Sequence, residues 1–195
     1  MDTRAQSLIK VLLIAVIISA GFAFRLVYTP ESGSTVYSND KMLSRSEGKM
    51  YYNRKLFTGA VIELYGNGDV YKITSFKKGV EEGIQTAFYE NGRIMEIRFY
   101  ENGQKEGTHN GWWKNGNLRF EFHFMSGLYE GNQKEWSESG MLYTDFNYVN
   151  GYEEGLQQAW YPDGKIQANY FVKNNRKYGL TGVKNCQSAK DENQN

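Results

Sequence analysis

The sequence predicts an all-β protein: an elongated open antiparallel β-meander of about five 24-residue hairpin repeats, preceded by an N-terminal apolar helix. Three observations predict it. Gly68, Gly92, Gly116, Gly140 and Gly164 each follow the one before by 24 residues, and Gly79, Gly103, Gly127 and Gly151 keep the same step, each with a second glycine four residues on. A fixed period of this size marks a repeat architecture, in which no unit buries its apolar face alone. Leu118, Phe120, Phe122 and Phe124 alternate with Arg119, Glu121 and His123, the period of a strand with one buried face. Fifteen tyrosines and only two prolines favour strands over helices or disorder.

The chain opens with residues 1–27, where Arg4 and Lys10 precede an apolar run from Val11 to Phe24 interrupted only by Ser19 and Gly21. This pattern predicts a secretory signal peptide, with Gly21 and Ala23 as the small residues of a cleavage site, or an uncleaved signal anchor. Its apolar core is shorter than the roughly 20 residues of a full span, and extension back to Leu8 with Lys10 snorkelling brings it closer. Membrane association of this segment and an exported protein, anchored to the inner membrane or periplasmic, are therefore expected. Residues 28–47 are polar without a sustained period and read as a linker. Repeats are expected over 48–182, followed by a polar C-terminal tail over 183–195 that contains the lone Cys186.

Each repeat is read as a long strand and a shorter one. Val70, Ile94, Leu118, Leu142 and Ile166 begin the long strands, and Phe76, Tyr100, Phe124, Tyr148 and Val172 end them; these ten residues are expected to line the core. The shorter strand ends at Leu64, Phe88, Trp112, Trp136 and Trp160. Its next position holds Tyr65, Tyr89, Trp113, Ser137 and Tyr161, on the opposite face. Between them, YGNGD, YENGR, WKNGN, SESGM and YPDGK are predicted tight hairpin turns built on positive φ at Gly68, Gly92, Gly116, Gly140 and Gly164. The NGQKEG type is predicted to be a wider connection between repeats.

The unit, an aromatic residue, any residue, Asn-Gly, an apolar strand ending in an aromatic and Gly-x-x-x-Gly, is similar to the bacterial variant of the MORN repeat (membrane occupation and recognition nexus) of the YwqK type. The resemblance covers residues 48 to about 182, with YYNRKLFTG at 51–59 resembling an opening half-unit. It implies an open single-sheet meander with protein binding or membrane-peripheral scaffolding as its role, and the antitoxin label that many such proteins carry; the N-terminal segment adds the cell envelope as the expected place.

Charge and residue chemistry narrow the function. With 23 basic and 22 acidic residues the formal net charge is only +1, too little to draw a polyanion, so nucleic acid is not an expected partner. A phosphate loop would need a helix after its glycines, and strands follow these. The EEG, KEG and YEG turns offer one or two carboxylates, against the about six to eight oxygens that calcium takes. His109 and His123 are read as surface residues, and Glu81, Glu82, Glu153 and Glu154 as solvated turn carboxylates. A single cysteine builds neither an internal disulfide nor a cysteine-based metal cage. No enzyme, metal or cofactor is expected. The candidate binding surface is the ring row Tyr65, Tyr89, Trp113 and Tyr161, suited to a protein partner or to carbohydrate stacking in a wall-binding module. The exposed sheet edges, near residue 55 and Val172, are expected sites of strand addition or self-association.

Overall fold

The computed structural model of the protein describes residues 34–182, so the N-terminal apolar segment and the tail with Cys186 lie outside the described residues. Among those described, no helix is long and apolar enough to cross a membrane. The strands are β1 (Ser34–Tyr37), β2 (Leu43–Ser46), β3 (Lys49–Tyr52), β4 (Lys55–Leu56), β5 (Gly59–Leu64), β6 (Val70–Lys77), β7 (Val80–Phe88), β8 (Ile94–Glu101), β9 (Gln104–Lys105), β10 (Gly107–Trp112), β11 (Leu118–Met125), β12 (Leu128–Tyr129), β13 (Gly131–Trp136), β14 (Leu142–Val149), β15 (Tyr152–Glu153), β16 (Gly155–Trp160), β17 (Ile166–Lys173) and β18 (Arg176–Leu180).

Fifteen of these form one open sheet, ordered β1-β5-β6-β7-β8-β10-β11-β13-β14-β16-β17-β18, with the two-residue β9, β12 and β15 pairing beside β8, β11 and β14. From β5 onward the order follows the chain, as a meander of hairpins requires. The sheet is mixed because β1 runs parallel to β5, Val36 facing Val61. β2, β3 and β4 form a separate small antiparallel sheet. Strands thus occupy much of the stretch read as a linker. β1 and β2 are only four residues each and lie outside the 24-residue register, so neither period nor glycine marks them in the sequence.

The two turn families exchange the roles expected of them. At the connections between repeats, Asn102 and Gly103 both have positive φ, 51° and 79°, as do Ser126 with Gly127 and Asn150 with Gly151. Glu101 pairs with Gln104 across that turn, so these are the two-residue turns with both central residues left-handed. The second glycine of each pair, Gly107 or Gly131, takes a positive φ where the strand resumes past a bulge, closed by Glu106 N–H donating to Phe99 O. At YENGR only Gly92 has positive φ; Gly92 N–H donates to Tyr89 O and Tyr89 N–H to Arg93 O, which makes a three-residue loop. Asn91 spends its side chain on Arg93 N–H instead of adopting the left-handed region.

Rows run across the sheet as predicted at one end of the long strands only. Phe76, Tyr100, Phe124 and Val172 are buried and Tyr148 half-buried. At the other end Ile94 and Ile166 are exposed and Val70, Leu118 and Leu142 half-buried, so those five do not form a core row. The difference lies in the connections between repeats. Tyr129, in the short β12, stacks on Phe124 at 4.7 Å and reaches Tyr148 at 5.2 Å, whereas the three-residue loops carry no such covering strand. At the N-terminal end the small sheet closes the same face: Leu43, Met50 and Tyr52 pack against Val36, Phe57, Val61 and Phe76.

Gly59 admits β1 to this arrangement. A Cβ there would overlap the Ser34 carbonyl oxygen and crowd the Phe57 ring, at a φ of 149° that side chains rarely adopt. Gly59→Ala should therefore cost about 2–4 kcal/mol. Gly92→Ala, where a Cβ meets nothing, should cost only the left-handed backbone penalty of about 1 kcal/mol. Equal losses in urea denaturation would refute the proposed role of the β1 contact.

Candidate functional site

The ring row forms a ladder along one margin of the sheet. Tyr65 Oη donates to Phe88 O at 2.7 Å, Tyr89 Oη to Trp112 O at 2.8 Å, and Trp113 Nε1 to Trp136 O at 2.9 Å. Each acceptor immediately precedes the next position of the row, so every ring ties its repeat to the following one. Tyr65, Tyr89 and Trp113 are half-buried, and Tyr65 also meets Tyr71 edge-on at 5.1 Å. Ser137 interrupts the ladder and turns inward, bonding Ser139 Oγ and accepting from Met141 N–H. Tyr161 is the exposed end, 47% accessible, with no following ring position among the described residues. The polar tips of the first three rings are thus engaged with backbone.

A second ladder runs along the opposite margin. Glu82 accepts from Asn102 N–H at 2.7 Å, Glu106 from Ser126 N–H at 2.7 Å and Glu130 from Asn150 N–H at 2.8 Å. Thr58 does the same for Lys78 in the opening unit. The next turn amide is satisfied by backbone: Gly103 N–H donates to Glu81 O, Gly127 to Lys105 O and Gly151 to Tyr129 O. Glu82 is therefore a structural cap for the next turn, and the solvated reading of it is corrected. That reading took each turn in isolation, whereas the bonds join successive copies.

Between the ladders runs a buried polar column, Gln85, His109, Gln133 and Gln157. Gln157, fully buried, accepts from Asn147 N–H at 3.0 Å and donates to Asn147 O at 2.8 Å. Gln133 treats His123 in the same way. The amide side chain thereby replaces the ladder bonds that each bulge breaks. His109 takes this place in its copy and is 2% exposed, which corrects its reading as a surface residue. Its Nε2 lies 2.8 Å from Phe99 O and its ring between Tyr100 and Phe124, at 5.8 and 4.5 Å. The recurrence of Gln at 85, 133 and 157 was the available signal, since an uncharged amide fixed at one repeat position marks a buried partner. His123 is half-exposed, near Glu121 and Thr108.

One feature of the turn margin escaped the sequence reading. At the tips of successive two-residue turns the flanking pairs are Lys77 and Val80, Glu101 and Gln104, Met125 and Leu128, Val149 and Tyr152, then Lys173 and Arg176. Met125, Leu128, Val149 and Tyr152 are 49, 50, 47 and 71% exposed, and the space beside Gly151 is occupied by Leu128. Two adjacent copies thus present an apolar patch between tips that carry charge. Aligning the copies by 24 residues would have shown it. Among the described residues, no three His, Cys, Asp or Glu side chains gather to hold a metal ion.

These features define the protein as an open β-hairpin repeat array whose copies are joined by side-chain ladders. In agreement, residues 81–102, 129–150 and 153–174 each match the MORN repeat variant, so the chain carries MORN-variant repeats at these three positions. No curated protein matches the sequence. The intervening copy forms the same hairpin in β10 and β11, which pair from Gly107 with Phe124 to Trp112 with Leu118.

Burial holds the His109 imidazole below its ordinary titration range, aided by the Arg98 and Lys105 charges and opposed by its bond to Phe99. The folded state then binds fewer protons than the unfolded one below about pH 6.5. The resulting stability is present above that pH and is lost as pH falls toward the folded value. His109→Gln should remove this component of the pH dependence, because glutamine is what the neighbouring copies use; identical midpoint-against-pH curves from 7.5 to 5 would contradict it. Separately, Tyr89→Phe should cost about 1 kcal/mol through its lost ladder bond, and Tyr161→Phe close to nothing. Equal effects on denaturation would show that the ladder does not couple the copies.

Proposed function

We propose that the chain is a non-catalytic, exported binding scaffold of the bacterial cell envelope, of the YwqK type, that engages a protein partner through the apolar turn tips Met125, Leu128, Val149 and Tyr152. The observation that carries this reading is that large, exposed apolar side chains stand at all four tip positions of two adjacent copies, whereas the tips on either side, Glu101 with Gln104 and Lys173 with Arg176, are polar or charged. Exposed apolar surface of this kind marks interaction sites, and a tyrosine such as Tyr152 is a favoured anchor. The Val11–Phe24 run supports export or anchoring, since it follows Arg4 and Lys10 and ends in small residues. Carbohydrate stacking along Tyr65, Tyr89 and Trp113 is less favoured, because their polar tips are bound to the next repeat.

A photoreactive amino acid placed at Tyr152 should trap a discrete partner in cells, and one at Gln104, the equivalent polar tip, should not. Leu128→Glu should lower the Tyr152 adduct roughly ten-fold while leaving the melting temperature nearly unchanged, as a surface change does. Equal adducts at both tips would defeat the assignment. Cell fractionation with external protease tests the export part: a protected, cytosolic protein would favour the antitoxin reading.

A further inference from the structure

The two ends of the array are unlike. At the N-terminal end β1 covers the edge of β5, and the small sheet packs over Val61 and Phe76. At the C-terminal end the sheet stops at β18, and among the described residues no strand pairs with its outer edge. Repeat arrays generally close such an end with a polar cap. Here Tyr178 and Leu180 are 56 and 54% exposed on β18, and the row inward from Tyr178 continues through Phe171 and Leu156, 46 and 44% exposed. Register makes this one continuous row, since Leu156 lies opposite Phe171 and Phe171 opposite Tyr178. Lys177 points to the other face, held by Glu153 at 2.7 Å and near Tyr170 Oη at 3.4 Å.

The hairpin before β18 fixes which backbone groups are free. Asn174 and Asn175 both have positive φ, 51° and 58°, forming a two-residue loop closed by Lys173 and Arg176. Such a loop makes its closing pair a hydrogen-bonded one, and bonding alternates along the ladder. Tyr178 therefore directs its N–H and C=O toward β17, and Lys177 and Gly179 direct theirs outward.

We propose that the outer edge of β18 pairs antiparallel with β18 of a second copy, about a twofold axis through Tyr178. Lys177 and Gly179 then exchange backbone hydrogen bonds with the partner copy's Gly179 and Lys177. Arg176 stands opposite Leu180, so no like charges face each other directly, which like-charged pairs would penalise. The two Tyr178 rings meet at a non-hydrogen-bonded position, where side chains lie closest. The row becomes continuous across the axis, from Leu156 through Phe171 and Tyr178 of one copy to Tyr178, Phe171 and Leu156 of the other. Lys177 keeps Glu153 on the other face. The pairing leaves the Met125 to Tyr152 tips free.

The test uses the full-length chain with Cys186→Ser and a single new cysteine. Tyr178→Cys places two thiols on Cα atoms about 4.5 Å apart, within disulfide geometry. Mild oxidation should join it into a covalent dimer roughly ten-fold faster than Lys114→Cys, an exposed turn residue remote from β18. Sedimentation of the otherwise unaltered chain should give twice the monomer mass, and Tyr178→Lys should return it to monomer. A monomeric chain, equal cross-linking of the two cysteine variants, or a dimer that survives Tyr178→Lys would each overturn the proposal.

Discussion

The constraint on which the rest depends is the satisfaction of turn-tip amides in a sheet one layer thick. A two-residue turn with both central residues left-handed leaves N–H groups aimed outward, with no second layer to receive them. Each copy solves this for the next: one amide is met by a glutamate oxygen and the other by a backbone carbonyl, as Glu82 and Glu81 do for Asn102 and Gly103. The bond holds successive turns in register, which copies of equal length, here 24 residues, maintain along the array. It also explains why the glycine and the glutamate recur together, since changing the register of either would strand a donor.

The same logic operates at the other margin and in the middle of the sheet. Tyr89 and Trp113 reach carbonyls of the following copy, and Gln133 and Gln157 restore the backbone bonds lost at bulges. Three lines of hydrogen bonds therefore run across the strands in addition to the sheet ladder. The apolar contribution is concentrated where the long strands end: Phe76, Tyr100 and Phe124 lie beside residues of the connecting strands, and Lys105 covers the Phe124 ring at 4.8 Å. Because each copy contacts mainly its neighbours, stability accumulates along the array and is weakest where the ladders end, at Tyr161 and the Asn174–Asn175 turn.

The hairpin order, the number of copies and the buried row from Phe76 to Val172 were legible because period and alternation are local signals repeated many times. Turn type was not. Asn-Gly occurs in both connections, and the choice depends on whether Asn91 bonds forward to Arg93 or Asn102 enters the left-handed region. β1 was equally hidden, because four residues pairing in parallel with β5 leave no periodic trace. His109 and Glu82 were placed on the surface because residue type was weighed without the inter-copy bond that uses it. For the candidate site the sequence named the aromatic row, whereas the exposed apolar tips Met125 to Tyr152 are visible only when copies are compared position by position.

That comparison separates two kinds of constraint on this chain. Positions that join copies vary little: Glu recurs at 82, 106 and 130, and the column holds Gln, His, Gln and Gln. The second tips Val80, Gln104 and Leu128 pack beside Gly103, Gly127 and Gly151 of the next copy, whereas the first tips at 77, 101, 125, 149 and 173 carry none of the ladder bonds. They can change without disturbing the ladders, and they run from Lys to Glu to Met to Val to Lys along the margin. A repeat scaffold of this construction can therefore place a distinct surface on each copy at little cost in stability. The apolar tips Met125 and Val149 lie at positions that carry none of the bonds joining the copies, so the ladders that hold the array together do not fix which side chain stands there.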